Sequence, residues 1–297
     1  MEVFEIEMAF FPGCTIPGTD IGYEASARKV YKEFGIILKD VEDFSCCAPS
    51  PITTIDCKTA LSISARNLCI AENLGLDIIT FCNGCFENLK HANQILKKDD
   101  KLKTEINEIL SKIGYEFKGK IKVKHGLQVL IEDITLEKVK EMARIDLKGF
   151  RFAAFYGCHA IRPSNVVQFD NPEDPSSLDN LIEALGAESI DFEGKKICCG
   201  GFVKGLAEEI ALNLIHSKLK ALKEANVDAV IVACPFCFFQ FDSGQKEILR
   251  DFSERYDIPV LNFTDLLGIA LDLDIKSLGL NTHRVKVKPL LQKLESL

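Results

Sequence analysis

The chain has 297 residues, 47% hydrophobic and 27% charged, and a formal net charge of −8. That acidity argues against nucleic acid as a partner, and with no charged-apolar-small leader and no uncharged apolar run of about 18 residues, neither secretion nor membrane insertion is expected. Twelve cysteines are too sparse for a disulfide-stapled scaffold, and a chain this long buries a core unaided, so reduced thiols in a cytoplasmic setting are expected.

Short apolar runs alternating with helical periodicity predict a mainly parallel α/β arrangement. Strands are expected at 7–11 and 36–41 with a helix over 23–34 between them. A helix over 58–74, a strand at 77–81 and a helix that includes 88–96 follow. The polar, lysine-rich segment 97–120 reads as a local helical insertion. From residue 151 the series starts again: strand 151–156, helix 178–185, strand 189–192, helix 205–225 and strand 228–232. The apolar stretch 261–273 carries Asp265 and Asp272 and is too short to span a bilayer.

Ten of the cysteines fall into two copies of one pattern: a lone cysteine, a vicinal pair, then Cys-x-x-Cys. The first copy is Cys14, Cys46, Cys47, Cys82 and Cys85; the second is Cys158, Cys198, Cys199, Cys234 and Cys237. The last four of each set stand 152 residues apart. Around them, Ala9-Phe10-Phe11-Pro12-Gly13-Cys14 is answered by Ala153-Ala154-Phe155-Tyr156-Gly157-Cys158, and Arg66 and Lys218 each lie 16 residues before the Cys-x-x-Cys. The chain therefore reads as a duplication, with domains 1–149 and 150–297. All three cysteine positions of each copy fall in loops just after strands, and such loops converge at one edge of a parallel sheet. A helix starting at each Cys-x-x-Cys would help hold sulfur as thiolate. Gly13, Gly84, Gly157, Gly200 and Gly201 fit backbone lying close to a bulky inorganic core, or serve simply as turn glycines.

Soft thiolates select iron–sulfur clusters or zinc. Five sulfurs per set is an awkward number for a four-coordinate zinc and one more than a cubane needs, so an enlarged or non-cubane iron–sulfur centre is expected, with zinc in one copy as the alternative. Cys57 and Cys69 lie outside the repeat and are expected to be buried small hydrophobes.

The repeated cysteine motif resembles the cysteine-rich CCG domain family, in the branch of the heterodisulfide reductase B subunits, over essentially the whole chain. The resemblance also rests on Phe81-Cys82-Asn83-Gly84-Cys85, on Gly157-Cys158-His159 with Arg162-Pro163-Ser164, and on the acidic loop 170–175. One departure is Ala48, where the second copy keeps Cys198-Cys199-Gly200. The resemblance implies two tandem, pseudo-twofold-related CCG domains, each a small mainly parallel sheet with flanking helices. It further implies that the ten cysteines bind two non-cubane [4Fe-4S] clusters, and that the substrate is the coenzyme M–coenzyme B mixed disulfide of methanogenesis, reduced to two thiols. A pseudo-symmetric pair of centres facing the two substrate sulfurs from opposite sides suits a two-electron cleavage. The implied partners are the other members of a heterodisulfide reductase complex: a ferredoxin-like C subunit, a flavin-bearing A subunit, and with them an associated hydrogenase. The sequence shows no flavin or nicotinamide fingerprint of its own.

An acidic chain that binds an anionic disulfide needs local cations. His159 and Arg162 beside Cys158, and Lys204 after the second pair, are the candidates, with His159 also placed to donate a proton. Arg66 and Lys218 are expected in structural ion pairs, His125 in the core or an interface, and Lys122, Lys124 and 97–103 on a solvated face. Two other classes remain open: an iron–sulfur electron-transfer subunit of another oxidoreductase, in sulfur or 2-hydroxy-acid metabolism, and a zinc-stabilised assembly subunit.

Overall fold

A computed structural model of the chain describes residues 5–295. The first copy contributes strands β1 (Ile6–Phe11), β2 (Ile36–Lys39), β3 (Ile78–Thr80) and β4 (Val123–His125), ordered β2-β1-β3-β4. The second contributes β5 (Arg151–Phe155), β6 (Glu188–Ser189), β7 (Ala229–Val232) and β8 (Val260–Asn262), in the same order β6-β5-β7-β8. Neighbouring strands all pair parallel, so each sheet delivers its strand ends, and the loops after them, along one edge.

The crossovers of the first copy are α1 (Ile21–Glu33), α2 (Cys57–Leu74), α3 (Asn83–Lys98) and α4 (Asp100–Ser111). The second copy has α5 (Ser177–Ala184), α6 (Glu208–Glu224), α7 (Pro235–Asp242), α8 (Gly244–Phe252) and α9 (Phe263–Ala270). Local chemistry fixes their ends. The Asp56 carboxylate accepts from the backbone N–H groups of Lys58 and Thr59 to start α2, and Gly75, at φ 69°, ends it. Helix α4 is the insertion expected over 97–120.

Two expectations are corrected. Each sheet has a fourth strand: β4 lies on the strand-like run that leads to His125, while β8 falls where no strand was expected. Strand β6 covers Glu188–Ser189 rather than 189–192. The Phe192 ring packs into the core from a turn between exposed Asp191 and Glu193, which mimics strand alternation.

Successive strand residues feed two apolar clusters. Phe10, Ile79, Ala154 and Ile231 join one, while Phe11, Ile78, Phe155 and Val230 join the other. Each cluster draws on both sheets, so the copies are packed together rather than strung out. Helix α1 of the first copy lies against α9 of the second. Gly22 and Gly279 meet so closely that a Cβ on Gly279 would stand 2.6 Å from the Gly22 Cα.

A buried polar network crosses this seam. Ser26 and Thr264 share a 2.7 Å hydroxyl hydrogen bond, Asn262 Nδ2 donates to Asp20 Oδ2 at 3.3 Å, and Asn262 N donates to Asp265 Oδ2 at 2.8 Å. Burial pushes the Asp265 carboxyl up to about 7 and holds His283, 3.7 Å from it, down to about 4. A carboxyl raised in the folded state adds stability that is complete below its ordinary value of 3.8 and is lost as pH rises through about 7. Relative to wild type, Asp265→Asn is therefore expected to gain stability between about pH 4 and about pH 7. Thermal midpoints of both proteins across that window check it, and a constant difference would contradict the buried neutral acid.

Candidate metal centre

All twelve cysteines are free thiols. The lone cysteines follow the first strand of each sheet, Cys14 after β1 and Cys158 after β5. Cys82 follows β3 and is the N-cap of α3, and Cys234 follows β7 and is the N-cap of α7. The helix starts expected at each Cys-x-x-Cys are thus present, with Cys85 and Cys237 in first turns, but neighbouring sulfurs and then burial push both of those thiols up rather than holding them as thiolate.

The vicinal pairs are held by neighbouring helices. Asn67 of α2 donates from Nδ2 to Cys46 O at 3.0 Å and accepts from Ser45 N at 2.9 Å, while Ser64 Oγ donates to Cys47 O at 2.8 Å. In the second copy Gln240 of α7 donates to Cys199 O at 3.1 Å, and the N–H groups of Gly200 and Gly201 point at the Cys198 and Cys199 sulfurs at 3.3 and 3.4 Å.

These loops bring nine sulfurs into one continuous string. Thiol contacts run from Cys46 to Cys47, Cys85 and Cys82, cross to Cys234, and continue through Cys237, Cys199 and Cys198 to Cys158. Cys237 Sγ and Cys199 Sγ are 3.5 Å apart. Cys14 completes the first set, close enough to act electrostatically on Cys46. The sets meet at the Cys82–Cys234 contact, with four sulfurs of the first on one side and five of the second on the other. Within each vicinal pair one sulfur is held low as thiolate by its neighbours: Cys47 by Cys46 and then Cys85, and Cys198 by Cys158 and then Cys199.

The backbone is cut away around the sulfurs. A Cβ on Gly13 would stand 2.8 Å from Cys85 Sγ, and one on Gly157 would stand 2.9 Å from Cys237 Sγ. Both glycines have positive φ, 67° and 74°. Among the described residues no group of His, Cys, Asp and Glu side chains is disposed to hold a single metal ion. An all-sulfur donor set spread along a string, with small residues pressed against it, fits a multi-iron core.

The cysteine-rich CCG domain model matches this chain twice, over residues 8–90 and 152–242. The chain belongs to the CCG family. It is 36% identical over 292 residues to the B subunit of the ferredoxin:CoB-CoM heterodisulfide reductase of Methanosarcina mazei, covering 97% of both chains. It is 32% identical to the "8-methylmenaquinol:fumarate reductase membrane anchor subunit" of Wolinella succinogenes, covering 94% of this chain and 96% of that one. In structure it resembles a hypothetical protein from Helicobacter pylori, with a TM-score of 0.77 at 17% identity, over 95% of this chain and 52% of that one. That likeness concerns the fold alone.

The CCG motif explains how Ala48 is tolerated. Gly200 in the second copy has φ 85°, and a Cβ there would lie 3.0 Å from the Ala211 Cα. Ala48 adopts the same left-handed region, φ 52°, but it borders an apolar cavity of about 280 Å³ lined also by Leu61, His91 and Ile95. Space replaces the packing that requires glycine at 200. Cys57 lines this cavity and is exposed, so the expectation that it is buried is corrected; it opens α2 with its side chain at a cavity mouth. Cys69 is buried, and burial raises its thiol to about 12.

The predicted cations separate. His159 and Arg162 share with Cys158, Ser164, Pro172 and Glu173 an open cleft of about 560 Å³. His159 Nδ1 stands 3.5 Å from Glu87 Oε2, close enough for an ion pair but without hydrogen-bond geometry, and Glu87 raises its pKa. Arg162 donates to Pro172 O at 2.5 Å and pairs with Glu173 at 3.5 Å. Lys204 is instead clamped by both Glu247 oxygens at 2.5 and 2.6 Å, with its ammonium over the Phe239 ring.

Arg66 and Lys218 do not form the expected ion pairs. Arg66 donates to Asp43 O at 2.9 Å and lies over Tyr115. Lys218 is 1% exposed and donates to Leu214 O at 3.0 Å. His125 is core, as expected, with burial holding it down to about 4.

Three residues near the sulfurs escaped the sequence reading. Asn83 of the first copy donates to Tyr156 O of the second at 2.7 Å. Glu87, one turn further along α3, faces His159. Phe202 reaches from the second copy so that its Cζ would meet a Gly84 Cβ at 2.9 Å, stacked on Phe236. Only Asn83 carried a signal, its place between Cys82 and Cys85.

A methyl at Gly157 would also lie 2.6 Å from Asn83 Nδ2. Gly157→Ala is expected to cost about 1–3 kcal/mol of stability and to weaken metal retention in the second set, measured as iron content and thermal midpoint of anaerobically purified protein. Gly114→Ala, where a Cβ meets nothing within 4 Å although φ is also positive, controls for backbone strain alone.

Proposed function

We propose that the chain is the catalytic iron–sulfur subunit of a heterodisulfide reductase, cleaving the coenzyme M–coenzyme B disulfide to two thiols. Domains 1–149 and 150–297 would each bind one non-cubane [4Fe-4S] cluster through the ten repeat cysteines. The observation that carries this reading is the two-ended sulfur string: ten cysteines from two copies, joined at Cys82–Cys234. When bound, such centres supply electrons one at a time, and a disulfide needs two together with two protons. The kinship with heterodisulfide reductase B subunits supports the choice of substrate.

The chain's own residues suggest how substrate is received. Cys82 and Cys234, each 3% exposed, fill the space directly between the sets. At the outer ends of the two sets Cys14 and Cys46 are exposed and Cys158 and Cys198 are partly so. In the cleft beside Cys158, Arg162 offers a planar donor for a sulfonate or phosphate oxygen pair. Glu87 favours the protonated form of His159, which suits it to hold a proton for a departing thiolate. Lys204, neutralised by Glu247, acts in this reading by holding the segment after the second pair rather than by meeting substrate.

No helix among the described residues is long and apolar enough to cross a membrane; a cytoplasmic placement belongs to this reading. Electrons would come from a ferredoxin-like C subunit, fed by an associated hydrogenase through a flavin-bearing A subunit. A second reading, an electron-transfer subunit of another reductase, is favoured by relatives named as fumarate reductase subunits.

Protein purified without oxygen is expected to contain two four-iron centres. Cys47→Ser or Cys199→Ser should remove about half the iron and abolish turnover, because ligation is linked to folding of the copy that holds it; Cys57→Ser and Cys69→Ala should leave iron unchanged. Reduced viologen as donor should release both thiols from the heterodisulfide. Iron-loaded protein that takes up electrons but leaves the disulfide intact selects the second reading, and iron-free protein defeats both.

A further inference from the structure

The cavity beside Ala48, about 280 Å³ in volume, lies in the first copy among α2, α3 and α4. Its floor is small and aliphatic: Ala48, Ala60, Leu61 and Ala92 line it and are buried. The polar residues among them have their donors occupied by backbone, Ser64 Oγ by Cys47 O at 2.8 Å and Asn88 Nδ2 by Gly84 O at 2.7 Å. Leu102 comes from the helical insertion α4, so a segment peculiar to the first copy supplies part of the wall. The rim is different, because the lining residues Cys57, Lys58 and His91 are exposed. No carboxylate is among the lining residues described; Glu105, which pairs with Lys58 Nζ at 2.9 Å and so ties α2 to α4, stands outside the lining.

The second copy shows that the fold does not force this apolar character. At the shared spacing of 152 residues, Ile95 of the wall answers Glu247 and Ala48 answers Gly200. Glu247 clamps Lys204, and a Cβ on Gly200 would lie 3.0 Å from the Ala211 Cα. The first copy thus has an aliphatic side chain where the second has half of an ion pair, and space where the second is packed. A recess with aliphatic walls and basic side chains only at its mouth is complementary to a ligand that is apolar along its length and anionic at one end. Lys58 has donors beyond the one given to Glu105, and His91 offers ring N–H groups beside it. The volume, small for a ligand pocket, suits one short chain rather than a two-chain lipid.

We propose that this cavity binds the unbranched aliphatic chain of a medium-length carboxylate or similar anionic amphiphile, with the chain on the alanine floor and the head group at Lys58 and His91. None of its lining residues is a repeat cysteine, and the site is separate from the cleft beside Cys158. The inference therefore stands whether or not the two cysteine sets hold iron.

The test is calorimetric binding of butanoate, hexanoate and octanoate to the full-length, anaerobically purified chain. Each added methylene is expected to tighten binding by about fourfold, and octylamine should bind more weakly than octanoate. Bound octanoate should also slow alkylation of Cys57 by iodoacetamide, read by mass spectrometry of its peptide. Ile95→Glu, which places the second copy's residue in the wall, is expected to lose octanoate binding, with the thermal midpoint reporting whether the variant folds. Ala92→Phe, which fills the floor, is the second variant, and the chain-length series on wild type decides if neither folds. Affinity that does not rise with chain length, octylamine binding as tightly as octanoate, Cys57 reacting at an unchanged rate, or folded Ile95→Glu binding like wild type would each overturn the inference. Octanoate that competes with disulfide in turnover would assign the chain to the arm of a substrate, and octanoate that binds without competing to a free fatty acid; the site is supported by either.

Discussion

The contact between Cys82 and Cys234 is the constraint on which the rest of the arrangement depends. Each cysteine ends the loop after the third strand of its sheet and caps the helix that follows. For the two to touch, both sheets must deliver the same loop to the same point, related by a local twofold. Parallel topology makes that possible, since every strand end of a sheet emerges on one side. The seam between α1 and α9, the glycine contact of 22 with 279 and the bond from Asn83 to Tyr156 O then fix the two edges relative to each other. Loosening any one of them would pull the halves of the string apart.

The housing of that string is apolar. Cys47, Cys82, Cys85, Cys199, Cys234 and Cys237 belong to the same buried cluster as Phe11, Phe86, Phe155 and Phe241. Buried backbone near them cannot be left without partners, and side chains supply these: Ser64 and Asn67 for the first pair, Gln240 for the second. Holding the carbonyl groups elsewhere leaves the sulfurs as the unsatisfied, electron-rich surface of the pocket. In low dielectric their charge is felt more strongly than it would be in water.

Much of this was legible from sequence. Repetition of five cysteines at fixed spacing brought out the doubled CCG pattern, and short apolar runs placed β1, β2, β3, β5 and β7. Strand β8 was not legible, because its residues Val260–Asn262 run straight into the apolar start of α9. Nor were contacts made across the twofold. Asn83, Glu87 and Phe202 act on the other copy, and nothing near them in the chain announces a partner some seventy or more residues away. Lys218 was misread for a related reason: spacing matched it to Arg66, but whether a long cation turns out to solvent or lies buried depends on Gly194 and the packing of α6, which periodicity does not record.

Duplication repeats the cysteine pattern, yet the two copies are not identical around it. Divergence has accumulated where it changes surroundings rather than ligands. Ala48 stands against a cavity where Gly200 stands against Ala211; α4 covers the first copy, while the second breaks its corresponding helix at Ser243 into α7 and α8. An open cleft lined by His159 and Arg162 lies beside Cys158. All ten sulfurs are kept while charge, access and packing differ between the ends, so the duplication is exact in the cysteines and only approximate in what surrounds them.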